Sequence, residues 1–132
     1  MRIAFADTSA VLAVVFGEPG GIRLGKVLGS LDRLLASNLL EAEVLCAAAR
    51  EGVDRKSVGT VFANISWVHP ERRLTREFEE ILAAGMVRGA DMWHLACALY
   101  VAGTSADLPF LTLDRAQARL ARDLGFPGLE PE

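Results

Sequence analysis

Ile3-Ala4-Phe5-Ala6-Asp7-Thr8-Ser9, close to the amino terminus, is the stretch that predicts the fold of this chain. Its first four residues are apolar without polar alternation, which is typical of a central parallel strand that is covered on both faces. The strand leads directly into Asp7, and ligands of open α/β folds bind at the carboxyl ends of strands. Asp7 is therefore either a site residue or a turn and capping residue, and this stretch alone leaves both interpretations open.

Length and composition are those of an ordinary soluble domain. The chain has 132 residues, 52% of them hydrophobic and 23% charged, so we expect a single domain over residues 1–132. No apolar run approaches the roughly 20 residues that cross a bilayer. Met1 and Arg2 lead straight into the first strand without room for a signal peptide, so we expect a cytoplasmic protein with no membrane segment.

The two cysteines and the net charge limit the class of protein further. Cys46 and Cys97 stand in Ala-rich, helix-like surroundings and form no CxxC pair, so we expect buried, reduced thiols rather than a disulfide or a zinc site. The net charge of -3 argues against binding of nucleic acid by bulk electrostatics. A cluster of acids that binds cations would also make the charge negative, so an RNA substrate is not excluded.

Helical and strand patterns alternate along the rest of the chain. Residues 33–37 and 109–112 are predicted strands, and residues 66–70 form a brief extended piece. Helices are predicted where apolar residues recur at helical spacing or where capping and turn residues bound an apolar run. The predicted helices cover 10–16, 22–31, 39–50, 55–64, 75–87, 91–100 and 115–124. This order predicts a three-layer α/β fold, with a mainly parallel central sheet flanked by helices.

Turn and capping residues predict where several of these helices begin and end. The run of Gly and Pro at residues 17–21 is expected to stop the first helix and to separate it from the second. Ser37 or Asn38 is expected to cap the third helix, and Thr75 the fifth. Acids in the first turns of the fifth helix are expected to serve its dipole, and these are Glu77, Glu79 and Glu80.

Three acids occupy positions that a parallel sheet brings to one edge. Asp7 and Asp114 come just after apolar strands, and Asp91 opens an apolar helix. Strand carboxyl ends and the N-termini of the following helices share one edge, so we expect these side chains to converge. Converging carboxylates raise each other's pKa unless a divalent cation neutralises them, and hard oxygen ligands favour Mg²⁺ or Mn²⁺. Phosphoryl transfer with a metal-activated water is the chemistry that follows.

Two glutamates and a histidine are further candidates. Glu41 and Glu43 interrupt an otherwise apolar helix, so at least one carboxylate is expected to face protein or a cleft, and helical periodicity does not choose between them. His94 lies three residues after Asp91, near the same helix face. It is either a partner of the acid or the substrate, or a packed and hydrogen-bonded helix histidine.

A basic midsection either contacts RNA phosphates or simply forms solvated helix faces. Its members are Arg50, Arg55, Lys56, Arg72, Arg73 and Arg76.

Four motifs, in order along the chain, resemble those of PIN-domain ribonucleases of the VapC type, the toxins of toxin–antitoxin pairs. The motifs are FADTSA at 5–10, SNLLEAEV at 37–44, GADMWHLA at 89–96 and LTLD at 111–114. The resemblance implies a PIN-like fold and an endoribonuclease that depends on Mg²⁺ or Mn²⁺. Its catalytic and metal-binding acids would be Asp7, Glu43, Asp91 and Asp114, where Glu43 is preferred to Glu41 by alignment of the motif. A homodimer and a small antitoxin that inserts a segment near the acids are also implied.

Other functions fit the residues less well. A phosphatase of the haloacid dehalogenase kind normally has a second Asp two residues after its nucleophile, where this chain has Ser9. A receiver domain needs a paired early acid and a Lys after a late strand, and neither Lys26 nor Lys56 is placed there. The remaining alternative is a PIN-like binding or regulatory module without turnover, against which the four retained acids argue.

Overall fold

Four parallel strands form the centre of the computed structural model, which describes residues 1–129. They are β1 (Ile3–Ala6), β2 (Arg33–Ser37), β3 (Ile65–Val68) and β4 (Phe110–Leu111). The strand order is β3-β2-β1-β4, and every neighbouring pair is parallel. The apolar stretch that precedes Asp7 is therefore an inner strand, as its uninterrupted apolar sequence predicts.

Helices connect the strands and cover both faces of the sheet. They are α1 (Thr8–Phe16), α2 (Pro19–Gly29), α3 (Asn38–Glu51), α4 (Arg55–Phe62), α5 (Thr75–Ala84), α6 (Gly89–Val101) and α7 (Arg115–Asp123). A short 3-10 helix, Ser105–Asp107, precedes β4. The predicted three-layer α/β fold with a parallel sheet is confirmed. No helix within residues 1–129 has the length and apolar character of a membrane span.

Alternating side chains of β1 build a separate core on each side of the sheet. Phe5 packs with residues of α5, α6 and α7, and its ring stacks on that of Phe110 with 5.7 Å between centroids. Ala4 and Ala6 face the opposite layer, where they pack with residues of α1, α3 and α4. Full burial of a side chain such as Phe5 contributes about 1.5–3 kcal/mol to stability. These two cores hold the carboxyl end of β1, and hence Asp7, in a fixed place.

The second helix begins three residues before its predicted start. Gly17 alone ends α1, with φ of 66° in the left-handed region, and Pro19 opens α2 at a position where its missing N–H costs nothing. Gly21 lies inside α2 because α1 passes very close to it: a Cβ there would stand 2.0 Å from the carbonyl oxygen of Ala13. Gly21, which the sequence predicts to be part of a helix-breaking run, thus lies inside a helix and permits its close packing on α1.

The fifth helix corrects two predictions. Thr75 is not its cap: Leu74 occupies the N-cap position without a side-chain hydrogen bond, and the helix ends at Ala84 rather than at residue 87. Glu77 does more than complement the helix dipole. Its carboxylate is buried and accepts hydrogen bonds of 3.0 and 2.6 Å from the Arg72 guanidinium, which lowers the pKa of Glu77.

The prediction that both cysteines are buried is wrong for Cys46. Cys97 is buried and the pKa of its thiol is raised to about 12 by burial, whereas Cys46 is exposed. Val44 and Ala48 direct the inner face of α3 into the core. Cys46 lies two residues from each of them, about 200° around the helix, and therefore points outward.

Candidate active site

Asp7 caps a helix, as one interpretation of the sequence predicts, and it lies at the carboxyl edge of the sheet. It is the N-cap of α1 and only 3% exposed. Its Oδ1 accepts hydrogen bonds from Ser9 Oγ at 2.7 Å and from the backbone N–H of Ala10 at 3.2 Å. Its Oδ2 accepts a hydrogen bond from Thr112 Oγ1 at 2.5 Å. Burial raises the pKa of Asp7, and these hydrogen bonds oppose that effect without cancelling it.

Hydroxyl groups join the end of β4 to the start of α1. Besides bonding Asp7, Thr112 Oγ1 accepts the backbone N–H of Asp114 at 3.1 Å. Ser9 Oγ accepts the backbone N–H of Leu113 at 3.0 Å and lies 3.1 Å from Thr112 Oγ1. The turn that carries Asp114 is therefore fixed relative to Asp7, although the two acids are 107 positions apart in the sequence.

Asp114 and Asp91 are linked through Gln117. Asp114 is the exposed N-cap of α7, and its Oδ1 accepts the backbone N–H of Gln117 at 3.0 Å. The buried side chain of Gln117 donates from Nε2 to the carbonyl oxygen of Asp91 at 3.1 Å. Gln117 thereby ties the first turn of α7 to the first turn of α6. Sequence reasoning missed Gln117, because nothing in its local context distinguishes it from a surface glutamine.

The two glutamates of α3 have different surroundings. Oε1 of Glu43 accepts a hydrogen bond from Thr8 Oγ1 at 2.6 Å and lies 2.7 Å from His94 Nε2. Its side chain is 33% exposed. Glu41 is exposed and makes no side-chain hydrogen bond within residues 1–129. The structure thus brings Glu43, and not Glu41, against α1 and α6.

His94 is the packed and hydrogen-bonded histidine that one interpretation of the sequence predicts, and it also contacts an acid. It is 1% exposed, with Nδ1 at 2.7 Å from Ser37 Oγ. Its Nε2 lies close to Glu43 Oε1 and 3.1 Å from Thr8 Oγ1. Ser37 is the N-cap of α3, but its hydroxyl makes no capping hydrogen bond, since it bonds His94 instead.

The remaining acids influence one another's ionisation. The pKa of Asp91 is raised first by burial and then by the negative charges of Asp114 and Glu43, while His94 and Arg88 act in the opposite direction. Solvent and salt screen charges that lie far apart, so this mutual effect indicates that the three side chains lie near one another. Acids from α3, α6 and the β4–α7 turn therefore share the edge of the sheet at which β1 delivers Asp7.

This arrangement agrees with the comparison of the sequence with protein families. The sequence model of the PIN domain matches residues 4–123, nearly the whole chain. The chain belongs to the PIN domain family. PIN domains are generally nucleases, a class of hydrolases. No curated protein matches this PIN domain significantly.

The acids of this PIN domain offer donors of the kind that Mg²⁺ and Mn²⁺ prefer. Oε2 of Glu43, Oδ2 of Asp114 and both carboxylate oxygens of Asp91 accept no hydrogen bond from residues 1–129. The buried Oε1 of Gln117, beside Asp91 and Asp114, also has no partner in this part of the chain. No group of three or more His, Cys, Asp or Glu side chains among the described residues forms a ready-made metal site. The donors nevertheless fit a hard cation by their chemistry.

A shallow depression lies between the first turns of α3 and α6. It is lined by Asn38, Leu39, Ala42, Gly89, Ala90 and Trp93. The indole Nε1 of Trp93 donates a hydrogen bond of 2.9 Å to Oδ1 of the exposed Asn38. The ring centroid of Trp93 also lies 6.2 Å from that of Phe78, so one wall of the depression is a packed aromatic side chain.

The basic midsection divides into two groups. Arg72 has a structural role, because it pairs with Glu77 and its guanidinium lies 5.2 Å from the centroid of the Tyr100 ring. The others lie at the surface, and these are Arg50, Arg55, Lys56, Arg73 and Arg76.

Proposed function

We propose that this PIN domain is an endoribonuclease that depends on Mg²⁺ or Mn²⁺ and hydrolyses RNA phosphodiester bonds as the toxin of a toxin–antitoxin pair. One observation carries the proposal: Asp91, whose pKa is raised by burial and then by the negative charges of Asp114 and Glu43, lies with these acids at the edge where Asp7 follows β1. An uncompensated cluster of carboxylates costs stability unless it binds a cation. Such a cluster in a member of a nuclease family supports a catalytic role.

The four acids are the proposed ligands of the cation, and other polar residues orient them. Asp7, Glu43, Asp91 and Asp114 would hold the cation through their carboxylate oxygens. When bound, the ion supplies an activated water and stabilises the leaving oxygen of the phosphodiester. Thr112 and Ser9 orient the Asp7 carboxylate, and Gln117 fixes the backbone at Asp91. The chain's own contribution is thus to hold these oxygen donors in fixed orientations.

RNA is the proposed substrate because the four motifs of the chain resemble those of VapC-type ribonucleases. Single-stranded RNA exposes bases that stack on aromatic rings and hydrogen-bond to amides, and Trp93 and Asn38 supply such groups at the depression between α3 and α6. Surface arginines such as Arg73 and Arg76 supply charges for phosphates.

The proposed partners are a small antitoxin and a second copy of the chain. Support comes from the residues and the order of the four motifs, which resemble those of VapC-type toxins. An antitoxin segment inserted at the acids would block the same oxygens that bind the cation.

Cleavage of a labelled single-stranded RNA by the purified protein tests the proposal. We expect cutting in Mg²⁺ or Mn²⁺, none in excess EDTA, and none by Asp91→Asn in either condition. A DNA strand of the same sequence measures the preference for RNA. If the protein binds the RNA but cuts it neither with Mg²⁺ nor with Mn²⁺, it is the binding module without turnover. Undiminished cutting in EDTA would instead remove the metal mechanism.

A further inference from the structure

The side chain of His94 joins three elements at the acidic edge. It projects from α6, meets Ser37 at the end of β2 through Nδ1, and meets Glu43 of α3 through Nε2. Both distances are 2.7 Å, and the ring is 1% exposed. A ring held at both nitrogens by groups from two other elements cannot rotate without breaking a buried hydrogen bond.

The partners of the ring determine where one proton of His94 lies. A carboxylate oxygen only accepts, so Nε2 carries a proton and donates it to Glu43 Oε1, while the Ser37 hydroxyl holds Nδ1. The Thr8 hydroxyl donates to the same Glu43 oxygen at 2.6 Å. Ser37 serves this network in place of its own helix, since its hydroxyl makes no capping hydrogen bond to α3.

The result is an asymmetric carboxylate. Oε1 of Glu43 receives two donors, whereas Oε2 receives none from residues 1–129. The negative charge of this carboxylate adds to the burial and the Asp114 charge that raise the pKa of Asp91. Since Oε1 is fixed by Thr8 and His94, the side chain has one orientation, in which Oε2 is the oxygen left for a ligand.

We propose that His94, oriented by Ser37, is the positioning residue for Glu43, and that it makes Oε2 of Glu43 available to the divalent cation of the acidic site. This inference rests on the proposed function for its ligand, and it assigns His94 no contact with the substrate. Partners that orient a ligand in this way commonly account for about 10- to 100-fold of metal affinity.

Two substitutions of His94 separate positioning from packing. The amide of Gln reaches the place of Nε2 and keeps a donor for Glu43, whereas the shorter Asn reaches only the place of Nδ1 and keeps the bond to Ser37. His69→Ala is the control, because His69 is exposed. Titration calorimetry with Mn²⁺ measures affinity without RNA. We expect His94→Asn to weaken Mn²⁺ binding at least about 10-fold, with His94→Gln and His69→Ala close to wild type.

The Glu43→Gln background distinguishes an effect through Glu43 from a general one. If His94 acts through this carboxylate, His94→Asn weakens Mn²⁺ binding no further once Glu43 is already changed. A full additional loss in that background would overturn the proposal. So would equal Mn²⁺ affinity of wild type and His94→Asn, even if the variant melts at a lower temperature, because the role of His94 would then be packing alone.

Nitrogen NMR of the imidazole ring tests the arrangement without metal or RNA. We expect Nε2 to carry a proton in the wild-type protein, and the fixed environment of that proton to be lost in Ser37→Ala. An unprotonated Nε2 in the wild type would refute the positioning role, because the ring would then have nothing to donate to Glu43. Failure of the proposed function has a different signature, which is a protonated Nε2 in a protein that neither binds Mn²⁺ nor cuts RNA.

Discussion

Thr112, which follows β4, donates a hydrogen bond from Oγ1 to Oδ2 of Asp7, which follows β1, over 2.5 Å. The pairing of Ala6 with Leu111 in the parallel sheet places these two residues side by side. Asp7 is thus oriented by the neighbouring strand and not only by the helix that it caps. The orientation of the first acid therefore depends on the correct register between β1 and β4.

Replacement of Thr112 by Val tests this dependence. The β-branched shape remains, but the charged Asp7 loses a hydrogen-bond donor, and a hydrogen bond to a charged group contributes about 1.5–3 kcal/mol. We expect the free energy of unfolding at neutral pH to fall by about this amount and RNA cleavage to weaken. Urea denaturation measures the first and the cleavage assay the second. Thr112→Ser keeps the hydroxyl and serves as the control; if it behaves like Thr112→Val, the methyl group matters and the hydrogen bond does not.

Glu43→Gln and Glu41→Gln form a matched pair on one helix. Each removes one negative charge with little change of shape, but only Glu43 contacts Thr8 and His94. We expect Glu43→Gln to lose at least about 100-fold in cleavage rate, as is common when a charged catalytic group is removed, and Glu41→Gln to cut RNA normally. The reverse pattern would show that the motif alignment is shifted by two residues.

The stability of the metal-free protein should depend on pH through Asp7. Its pKa in the folded state is raised above the ordinary value of 3.8, so the folded protein holds this proton more tightly than the unfolded chain. Ionisation therefore costs stability as the pH rises through the window between these two values, and the loss is constant above it. Asp7→Asn cannot ionise.

We expect the unfolding free energy of Asp7→Asn, relative to wild type in EDTA, to rise across this window and then stay level. Urea denaturation from about pH 4 to about pH 7 measures it. Glu77→Gln is the contrasting variant, because Arg72 lowers the pKa of Glu77 and its removal should cost stability increasingly as the pH rises. A difference between Asp7→Asn and wild type that is independent of pH would contradict the raised pKa of Asp7.

Expression in cells separates a toxin from a binding module. The intact chain, produced without an antitoxin, is expected to stop growth, and Asp7→Asn to be harmless, since one cation ligand becomes a weaker neutral one. The variant should remain soluble and should still bind an antitoxin. Growth curves and the soluble fraction of each form give the answer. Equal growth arrest by both forms would favour a binding function over catalysis.

Two glycines of α2 should respond oppositely to alanine. A methyl group at Gly21 would meet the carbonyl of Ala13 at 2.0 Å, whereas nothing lies within 4 Å of the corresponding position at Gly25. We expect Gly21→Ala to destabilise the protein by about 2–3 kcal/mol through overpacking. Gly25→Ala should stabilise it by about 0.5–1 kcal/mol, because Ala favours the helix. Thermal denaturation of both variants would show whether α1 and α2 approach this closely.

Local sequence determined the elements of this chain and most of their order. An uninterrupted apolar run is satisfied only by burial on both faces, so residues 3–6 predict an inner strand whatever follows. The same reasoning extends to the acids at strand ends, since parallel strands share their carboxyl edge. Errors arose where a residue type has two uses: Pro19 begins a helix as well as interrupting one, and Gly21 permits helix packing.

Only the tertiary structure decided which side chains meet. Glu41 and Glu43 have similar neighbours in sequence, and the difference between them comes from Thr8 and His94, which are 35 and 51 positions away from Glu43. Likewise, local rules assign Ser37 to capping, whereas a buried imidazole takes its hydroxyl. Periodicity records which face of an element is apolar, but hydrogen bonds between distant elements depend on how the layers pack, and that information is not local in the chain.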